Sequence, residues 1–318
     1  MKLSLVADLP FYLSLSADGK RLLGYFRKLL IADCNSDARK GMRMLIERML
    51  RRNKRMWFRH IRSSDHAFQK FIPRWYITQC SLTERQIYYR FMKIAVLLLF
   101  EHVSFLKAFG ISVNAAAAER CAVFAFLKRT YDDLLDEKRF VPDVLSAGTN
   151  HETNNEDPDC LLLDHLRGVI HSLAPQADFP NYYRLLEDVH IAQSTPVDPH
   201  SVKDAIFRKS LMSFLMDMYV MINDLPHELI AALEVSSQFF ACMDDYYDYQ
   251  QDLIGKKPTY INQSADPKQL LLRHYDELEE YLRHHAGDSE VYLLGLKDIL
   301  DIVIYAREHE MRKLSVLV

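Results

Sequence analysis

Two short acidic runs, one in each half of the chain, have the residue types and the spacing to bind divalent cations. They read DDLLD at residues 132–136 and DDYYD at residues 244–248. Carboxylates at positions i and i+4 of a helix project from one face, with their Cβ atoms about 5–6 Å apart. Several such charges at the end of a core helix repel each other and lose hydration unless a cation lies between them. Because carboxylate oxygens suit hard cations, we expect two facing runs to bind Mg²⁺.

The second run makes the stronger case for a metal. Asp244, Asp248 and Asp252 recur at intervals of four residues, and no Lys or Arg occurs between the first and the last of them. The preceding residues 229–243 carry one formal charge, at Glu234. A carboxylate stripe of this length would destabilise a core helix through self-repulsion unless it binds a metal.

The first run also fits a simpler interpretation, a charged helix end. Lys128 would then pair with Asp132 at i,i+4 spacing, and Arg129 would pair with Asp133 in the same way. The metal interpretation of this run therefore depends on the second run as its partner. The predicted metal ligands of both runs are Asp132, Asp133, Asp136, Asp244, Asp245, Asp248 and Asp252. The predicted catalytic residues among them are Asp132, Asp136 and Asp244.

The elements around the runs are predicted to be helical throughout. Apolar residues recur at three- and four-residue intervals, and convincing period-two strand patterns are missing. We therefore predict an all-α bundle, one domain over residues 1–318, in which the helices that carry the two runs lie antiparallel across the bundle. Pro199 suits the first position of a helix. The predicted helices cover residues 18–33, 37–60, 83–109, 114–138, 161–173, 181–191, 201–223, 224–255, 267–285 and 289–315.

The composition is that of an ordinary globular protein. Of 318 residues, 49% are hydrophobic and 26% charged, and nine glycines and eleven prolines are few for an architecture of strands and turns. The net charge of −3 disfavours a general nucleic-acid binder. Five cysteines without CxxC spacing indicate reduced thiols, and residues 1–15 lack the features of a secretory signal. The most apolar stretch, residues 94–100, is too short to span a bilayer, so we expect a cytoplasmic protein.

Basic and aromatic residues supply further candidates. Segment 39–62 is basic and amphipathic, which fits either a solvated helix face or contact with an anionic partner or membrane surface. The polar segment 141–160 predicts a loop that would act as a lid and exclude water. The candidates for binding phosphate oxygens are Arg208, Lys209, Lys256 and Lys257, each of which also fits an ordinary surface charge. The aromatic candidates for stabilising a carbocation, or for simple core packing, are Phe124, Phe240, Phe239 and Tyr131.

On these residues the chain resembles the class I isoprenoid synthase superfamily, which includes trans-prenyl diphosphate synthases, squalene and phytoene synthases and class I terpene cyclases. The string DDYYDYQQDLIGKK is similar to the second aspartate motif of trans-prenyltransferases, and Lys209-Ser210 stands where they have Lys-Thr. The string FAFLKRTYDDLLDE is similar to the first motif of phytoene synthases. The resemblance covers residues 115–260. It implies a helical bundle around an apolar cavity, three Mg²⁺ ions that hold a prenyl diphosphate at its mouth, and often a homodimer.

Departures from the family pattern reduce the number of reactions that we expect this protein to catalyse. Chain-elongating synthases carry a basic GGKxxR site before the first motif and an Arg-Arg pair after it. The nearest equivalents here are DGKR at residues 18–21 and Lys138-Arg139, and Ala241 replaces the Gln that usually precedes the second run. An enzyme without a second diphosphate site would ionise one allylic diphosphate and then cyclise or eliminate the carbocation. The sequence therefore favours a Mg²⁺-dependent terpene synthase.

Two alternatives stay open. A prenyltransferase would condense two isoprenoid substrates, and adding isopentenyl diphosphate would then give longer products. A non-catalytic helical binding protein would use segment 39–62 and would keep its role without Asp132 and Asp244. The sequence leaves open the prenyl chain length, the product skeleton and the oligomeric state.

Overall fold

The computed structural model shows an all-α chain. It describes residues 39–52, 54–136, 157–175, 177, 179, 199–222, 224–255 and 258–309. Within these ranges the chain forms ten α-helices and no β-strand. The helices are α1 (Arg39–Arg52), α2 (Lys54–Phe71), α3 (Arg74–Gln79), α4 (Glu84–Ala108), α5 (Ala115–Asp136), α6 (Pro158–Leu173), α7 (Pro199–Met221), α8 (His227–Ile254), α9 (Pro267–His285) and α10 (Glu290–Glu308).

Most of the predicted helix positions agree with the structure. Helix α9 has the predicted bounds, and α4 and α5 begin and end within two residues of theirs. Helix α7 begins at Pro199, as the proline preference for a first position predicts. The predicted helices 18–33 and 181–191 lie outside the described residues, as does nearly all of the predicted loop 141–160.

The differences have local causes. The predicted helix 37–60 corresponds to α1 and to the first part of α2. Helix α2 continues to Phe71 because residues beyond the predicted end, such as Ala67 and Phe68, still face the core. Helix α3 is too short to give a periodic signal. Helix α6 begins at Pro158 because the side chain of Asp157 accepts a hydrogen bond from the backbone N–H of Asp159 and caps the helix there.

Close aromatic packing brings three helices of the core together. Trp57 of α2 stacks on Phe100 of α4, with ring centroids 4.2 Å apart and planes 5° apart. Gly295 of α10 lies against the same ring, since a Cβ at this position would come within 2.3 Å of Phe100 Cζ. A side chain at residue 295 would therefore push α10 away from α4.

Contacts on α7 fix the directions of the two helices that carry the acidic runs. Arg120 of α5 donates to the carbonyl oxygens of residues 220 and 221, while Lys128, two turns later, contacts Asp217. Helix α5 therefore runs antiparallel to α7. Helix α8 follows α7 after a short connection and also runs antiparallel to it, with Ser210 donating to the carbonyl of Ser237.

It follows that α5 and α8 run parallel to each other, and the predicted antiparallel arrangement is wrong. Because both helices run antiparallel to α7, their C-terminal acidic runs lie toward the same end of the bundle, the end at which α7 begins. An antiparallel pair would have placed the two runs at opposite ends. The parallel arrangement is the one that can bring both runs to one ligand.

The basic segment 39–62 forms α1 and the first half of α2. Part of its charge is used in structural ion pairs, because Arg48 contacts Asp298 at 2.7 Å and Asp301 at 2.6 Å on α10. Other cations of the segment face solvent, among them Arg55, Arg59 and Arg62. None of the helices that the structure describes has the length and apolar character needed to cross a membrane.

Candidate functional site

The second acidic run forms a carboxylate stripe along the last turns of α8. Asp244 is exposed, Asp245 and Asp248 are half-buried, and Asp252 is 8% exposed. The stripe therefore passes from solvent into a covered part of the site. Helix α8 can carry it because its preceding turns are anchored by apolar residues such as Phe239.

The first run lies at the end of α5, and its members have unequal surroundings. Asp132 is exposed, whereas Asp133 is half-buried. Asp136 is the last residue of α5, and its side chain lies outside the described part of the chain. Asp132 and Asp136 share a helix face at i,i+4 spacing, while Asp133 is rotated about 100° from that face.

Two arginines hold Asp133. Arg90 Nε donates to Asp133 Oδ2 at 2.5 Å, and Arg129 Nη2 lies 2.5 Å from Asp133 Oδ1. The Arg129–Asp133 pair predicted for a charged helix end is thus confirmed. Arg90 on α4 is 9% exposed, and it also donates to Asp159 at 2.8 Å. Local sequence patterns do not indicate Arg90 as a partner of Asp133, because the two residues lie more than forty positions apart.

A tyrosine completes the network around Arg90. The hydroxyl of Tyr76 donates to Asp159 Oδ1 at 2.6 Å and accepts a hydrogen bond from Arg90. Burial raises the pKa of Tyr76, so the hydroxyl stays protonated. The network joins α3, α4, α5 and α6, and it fixes the end of α5 that carries the first run.

A second charged cluster lies deeper in the bundle, between α4, α5 and α7. Lys128 Nζ donates to Asp217 Oδ2 at 2.9 Å, and His102 Nε2 lies 2.9 Å from the same oxygen. Burial favours protonation of Asp217, but Lys128 and His102 outweigh it and hold its pKa below 3.8. Burial, reinforced by the charge of Asp217, raises the pKa of Glu101 well above 4.5. Sequence patterns do not reveal this cluster because its members come from three helices.

Two of the four predicted phosphate-binding cations lie on α7, in its N-terminal half. Arg208 and Lys209 are exposed on α7. Lys256 and Lys257 lie outside the described residues.

Lys203, which the sequence analysis missed, is half-buried one turn before this pair of α7 cations. Its Nζ lies 5.4 Å from the ring centroid of Phe207 and 5.0 Å from that of Tyr260. Burial raises the pKa of the Cys242 thiol, with Asp245 raising it further and Lys203 lowering it. Both charges therefore lie close to that thiol, which makes Lys203 a cation next to the second run.

The aromatic candidates Phe124 and Phe240 differ in their exposure to solvent. Phe124 is fully buried, with its ring 5.9 Å from that of Phe179. Phe240 is half-buried, and its ring centroid lies 5.3 Å from that of Phe214 and 5.2 Å from that of Phe239. Phe240 is thus the better placed of the two for contact with a ligand, whereas Phe124 is a packing residue in this structure.

The donor set of the two runs fits Mg²⁺. In proteins Mg²⁺ is usually bound through one or two carboxylates while it keeps several waters and accepts phosphate oxygens of a substrate. Within the described ranges no three His, Cys, Asp or Glu side chains form a complete metal site. The i,i+4 carboxylates of α5 and α8 match the small number of protein ligands through which Mg²⁺ is usually bound. Asp133 has another role, because it is paired with Arg90 and Arg129.

Comparisons with known proteins bear on the fold. No family model matches the chain, and no curated protein matches it. Among solved structures, the chain is similar to the crystal structure of a geranyltransferase from Legionella pneumophila. The match has a TM-score of 0.51, covers 82% of this chain and 98% of the other, and has 12% sequence identity. The predicted fold class is thereby confirmed, and the chain has an all-α fold of the isoprenoid synthase type.

Proposed function

We propose that this protein catalyses Mg²⁺-dependent transfer of a prenyl group from an allylic diphosphate to a second substrate. The observation that carries the proposal is the parallel arrangement of α5 and α8, because it leaves both acidic runs at one end of the bundle. A diphosphate has two phosphoryl groups with several charged oxygens, and it needs cations held from more than one side. The two runs are suited to hold them.

Both runs take part in the proposed binding of Mg²⁺. Asp132 and Asp136 of α5 would hold the ions from one side of the diphosphate, and Asp244, Asp248 and Asp252 of α8 would hold them from the other. Bound Mg²⁺ would neutralise the diphosphate and make it a better leaving group, which is Lewis-acid catalysis. The proposed contacts to phosphate oxygens come from Arg208, Lys209, Lys256 and Lys257, with Lys203 added on the basis of its position beside Asp245.

The apolar part of the substrate would extend from the diphosphate into the bundle. Phe240 is half-buried and is the proposed aromatic contact for the developing carbocation. Cation–π attraction of this kind is worth about 0.5–2 kcal/mol per contact. The remaining core side chains around α5, α7 and α8 would exclude water from the cation, which prevents its capture as an alcohol.

Transfer to a second substrate is favoured over cyclisation by the structural likeness. The similar crystal structure is that of a geranyltransferase, and nearly its whole length is matched by this chain. Cyclisation by a terpene synthase is the second candidate. It is favoured by the sequence itself, which lacks the GGKxxR site and the Arg-Arg pair of chain-elongating synthases.

One assay separates these candidates. The purified protein is incubated with dimethylallyl, geranyl, farnesyl or geranylgeranyl diphosphate and Mg²⁺, with and without isopentenyl diphosphate, and products are identified by gas chromatography after dephosphorylation. Prenyl transfer predicts longer products that require isopentenyl diphosphate. Cyclisation predicts hydrocarbons or alcohols from the allylic diphosphate alone. No Mg²⁺-dependent release of diphosphate in any mixture would favour the non-catalytic binding protein.

Three accompanying expectations stay proposals. They are a homodimer, a single domain over residues 1–318, and contact of segment 39–62 with an anionic membrane surface. The exposed row formed by Arg55, Arg59 and Arg62 supports the last of them.

A further inference from the structure

Glu101 is a second carboxylate in the charged cluster around Asp217, and neither base of the cluster is bonded to it. Lys128 Nζ and His102 Nε2 each lie 2.9 Å from the same oxygen of Asp217. His102 Nδ1 lies 3.9 Å from Glu101 Oε1, which is too long for a hydrogen bond. Glu101 Oε1 is buried and has no hydrogen-bond partner in the part of the chain that the structure describes. Both bases are therefore matched to Asp217.

The groups that face Glu101 come from four helices. Among the described residues, the titratable and charged ones are His102 on α4, Cys121 and Lys128 on α5, Asp217 on α7 and Tyr292 on α10. Burial raises the pKa of the Cys121 thiol and the pKa of the Tyr292 hydroxyl, so both groups stay protonated and uncharged. An ionised Glu101 would thus place a second negative charge beside Asp217 in the bundle interior, where an unmatched charge is costly.

Hydrogen bonding also favours a proton on Glu101. Five buried polar atoms of this region have no hydrogen-bond partner within the described ranges, namely Glu101 Oε1, His102 Nδ1, Asp217 Oδ1, Ser236 Oγ and Tyr292 Oη. Buried polar atoms are hydrogen-bonded in the great majority of native structures. An ionised carboxylate can only accept hydrogen bonds, whereas a protonated one also donates through its O–H. Protonated Glu101 therefore offers the cluster a donor that the ionised form lacks.

We infer that Glu101 is held as the neutral acid and that its proton is a pH-sensitive lock on the bundle, released to solvent as the pH rises. The inference is independent of the proposed reaction. Loss of the proton adds a negative charge between α4, α5, α7 and α10, and that charge repels Asp217. The four helices then pack less favourably, so the folded protein is less stable at alkaline pH than a chain with an uncharged residue 101.

The direction of the pH dependence follows from the pKa of Glu101 in the two states. Burial, reinforced by the charge of Asp217, raises this pKa well above 4.5 in the folded protein, although Lys128 lowers it in part. In the unfolded chain a glutamate titrates at about 4.3. Below that pH both states bind the proton, and the lock contributes fully. Between the two pKa values unfolding releases a proton, so the unfolding constant rises by up to about tenfold per pH unit.

The decisive variant is Glu101→Gln, which keeps the size of the side chain, removes its charge and supplies N–H donors. Urea unfolding of the full chain is measured at about pH 5 and about pH 8 for the native protein and the variant. The ratio of the two unfolding constants, native over variant, is expected to rise at least about tenfold between these pH values. A ratio that stays constant would overturn the inference.

Two comparisons locate the effect at the cluster. Asp217→Asn removes the repelling charge and frees Lys128 to bind an ionised Glu101, so the loss of stability over the same pH range should be smaller than in the native protein. A loss equal to the native one would contradict the lock. The matched control is Glu279→Gln, because Glu279 is bound by Arg283 on the surface of α9. Its unfolding-constant ratio should stay constant, and a rise equal to that of Glu101→Gln would overturn the inference.

Infrared spectroscopy tests the proton directly and covers the case in which a variant does not fold. The native protein at about pH 7 is expected to show the band of a protonated carboxyl group, which weakens as the pH is raised. The band should be lost in Glu101→Gln and kept in Glu279→Gln. A native protein without this band would overturn the inference whatever the stability of the variants.

Discussion

At the end of α5, Asp133 is fixed by Arg90 and Arg129, whereas on α8 the carboxylates continue to Asp252 through a stretch of sequence without Lys or Arg. The same DDxxD spacing therefore occurs in two electrostatic settings. In the first run, Asp133 anchors the helix end through its two arginines. In the proposed function, Asp132 and Asp136 of this run and the carboxylates of the second run would bind the cations. Under that proposal, motifs of identical spacing divide structural and ligand-binding roles differently.

The largest effect is expected from removing the charge of the second run. If the proposed function holds, Asp244→Asn with Asp248→Asn should lower the Mg²⁺-dependent rate by at least about a thousandfold, or about 4 kcal/mol of transition-state stabilisation, because both carboxylates would hold the ions that bind the diphosphate. Rates of diphosphate release measure the effect. A matched control is Asp276→Asn with Glu280→Gln, an exposed i,i+4 pair on α9, which should leave the rate unchanged. A rate in the α8 variant equal to that of the native protein would show that the second run is not needed for the reaction.

Ligand-dependent stability should separate the runs in the absence of turnover. Mg²⁺ with inorganic diphosphate at about 100 times its dissociation constant should stabilise the native protein by about 2.7 kcal/mol. The α8 variant should lose this gain, since its stripe no longer holds the cation, while Asp133→Asn should keep most of it. Thermal unfolding with and without the ligands measures both. Equal gains in the two variants would show that the runs do not differ as proposed.

The two neighbouring carboxylates of the first run should respond in opposite ways. Asp133→Asn removes a charge that Arg90 and Arg129 need, so the free energy of unfolding should fall by about 1–3 kcal/mol. Asp132→Asn should leave stability nearly unchanged, because Asp132 is exposed, and should reduce the Mg²⁺-dependent rate. Urea unfolding and the rate assay are run on both variants. Asp132→Asn is the matched control for Asp133→Asn, and a loss of stability in both would remove the distinction.

Features of this fold and site can be predicted from sequence when the residues that determine them lie close together in the chain. Helices α4, α5 and α9 follow from local periodicity and from caps such as Thr83, which forms a capping box with Gln86. The Arg129–Asp133 pair was predictable because both residues lie on one helix. The Arg90–Asp133 pair and the direction of α5 relative to α8 depend on packing between distant segments, which periodicity does not encode.

The same distinction explains why sequence patterns do not reveal the charged cluster around Asp217. Lys128 was predicted to pair with Asp132 one turn away, yet its amine lies 2.9 Å from Asp217 on another helix. Local spacing favoured the first partner. The buried position of Asp217, where an unpaired carboxylate would be costly, favours the second.

The smallest expected effect concerns the support of the first run. Tyr76→Phe removes the hydroxyl that donates to Asp159 and accepts from Arg90, but leaves both Arg90 ion pairs in place. The free energy of unfolding should fall by about 1.5 kcal/mol, the lower end of the net worth of hydrogen bonds to charged groups, because Arg90 and Asp159 remain paired with each other. Because Tyr76 acts on Asp133 through Arg90, the Mg²⁺-dependent rate should change far less than in Asp132→Asn. A rate loss as large as that of Asp132→Asn would mean that the arginine network sets the position of the ligand-binding carboxylates as well as the stability of the helix end.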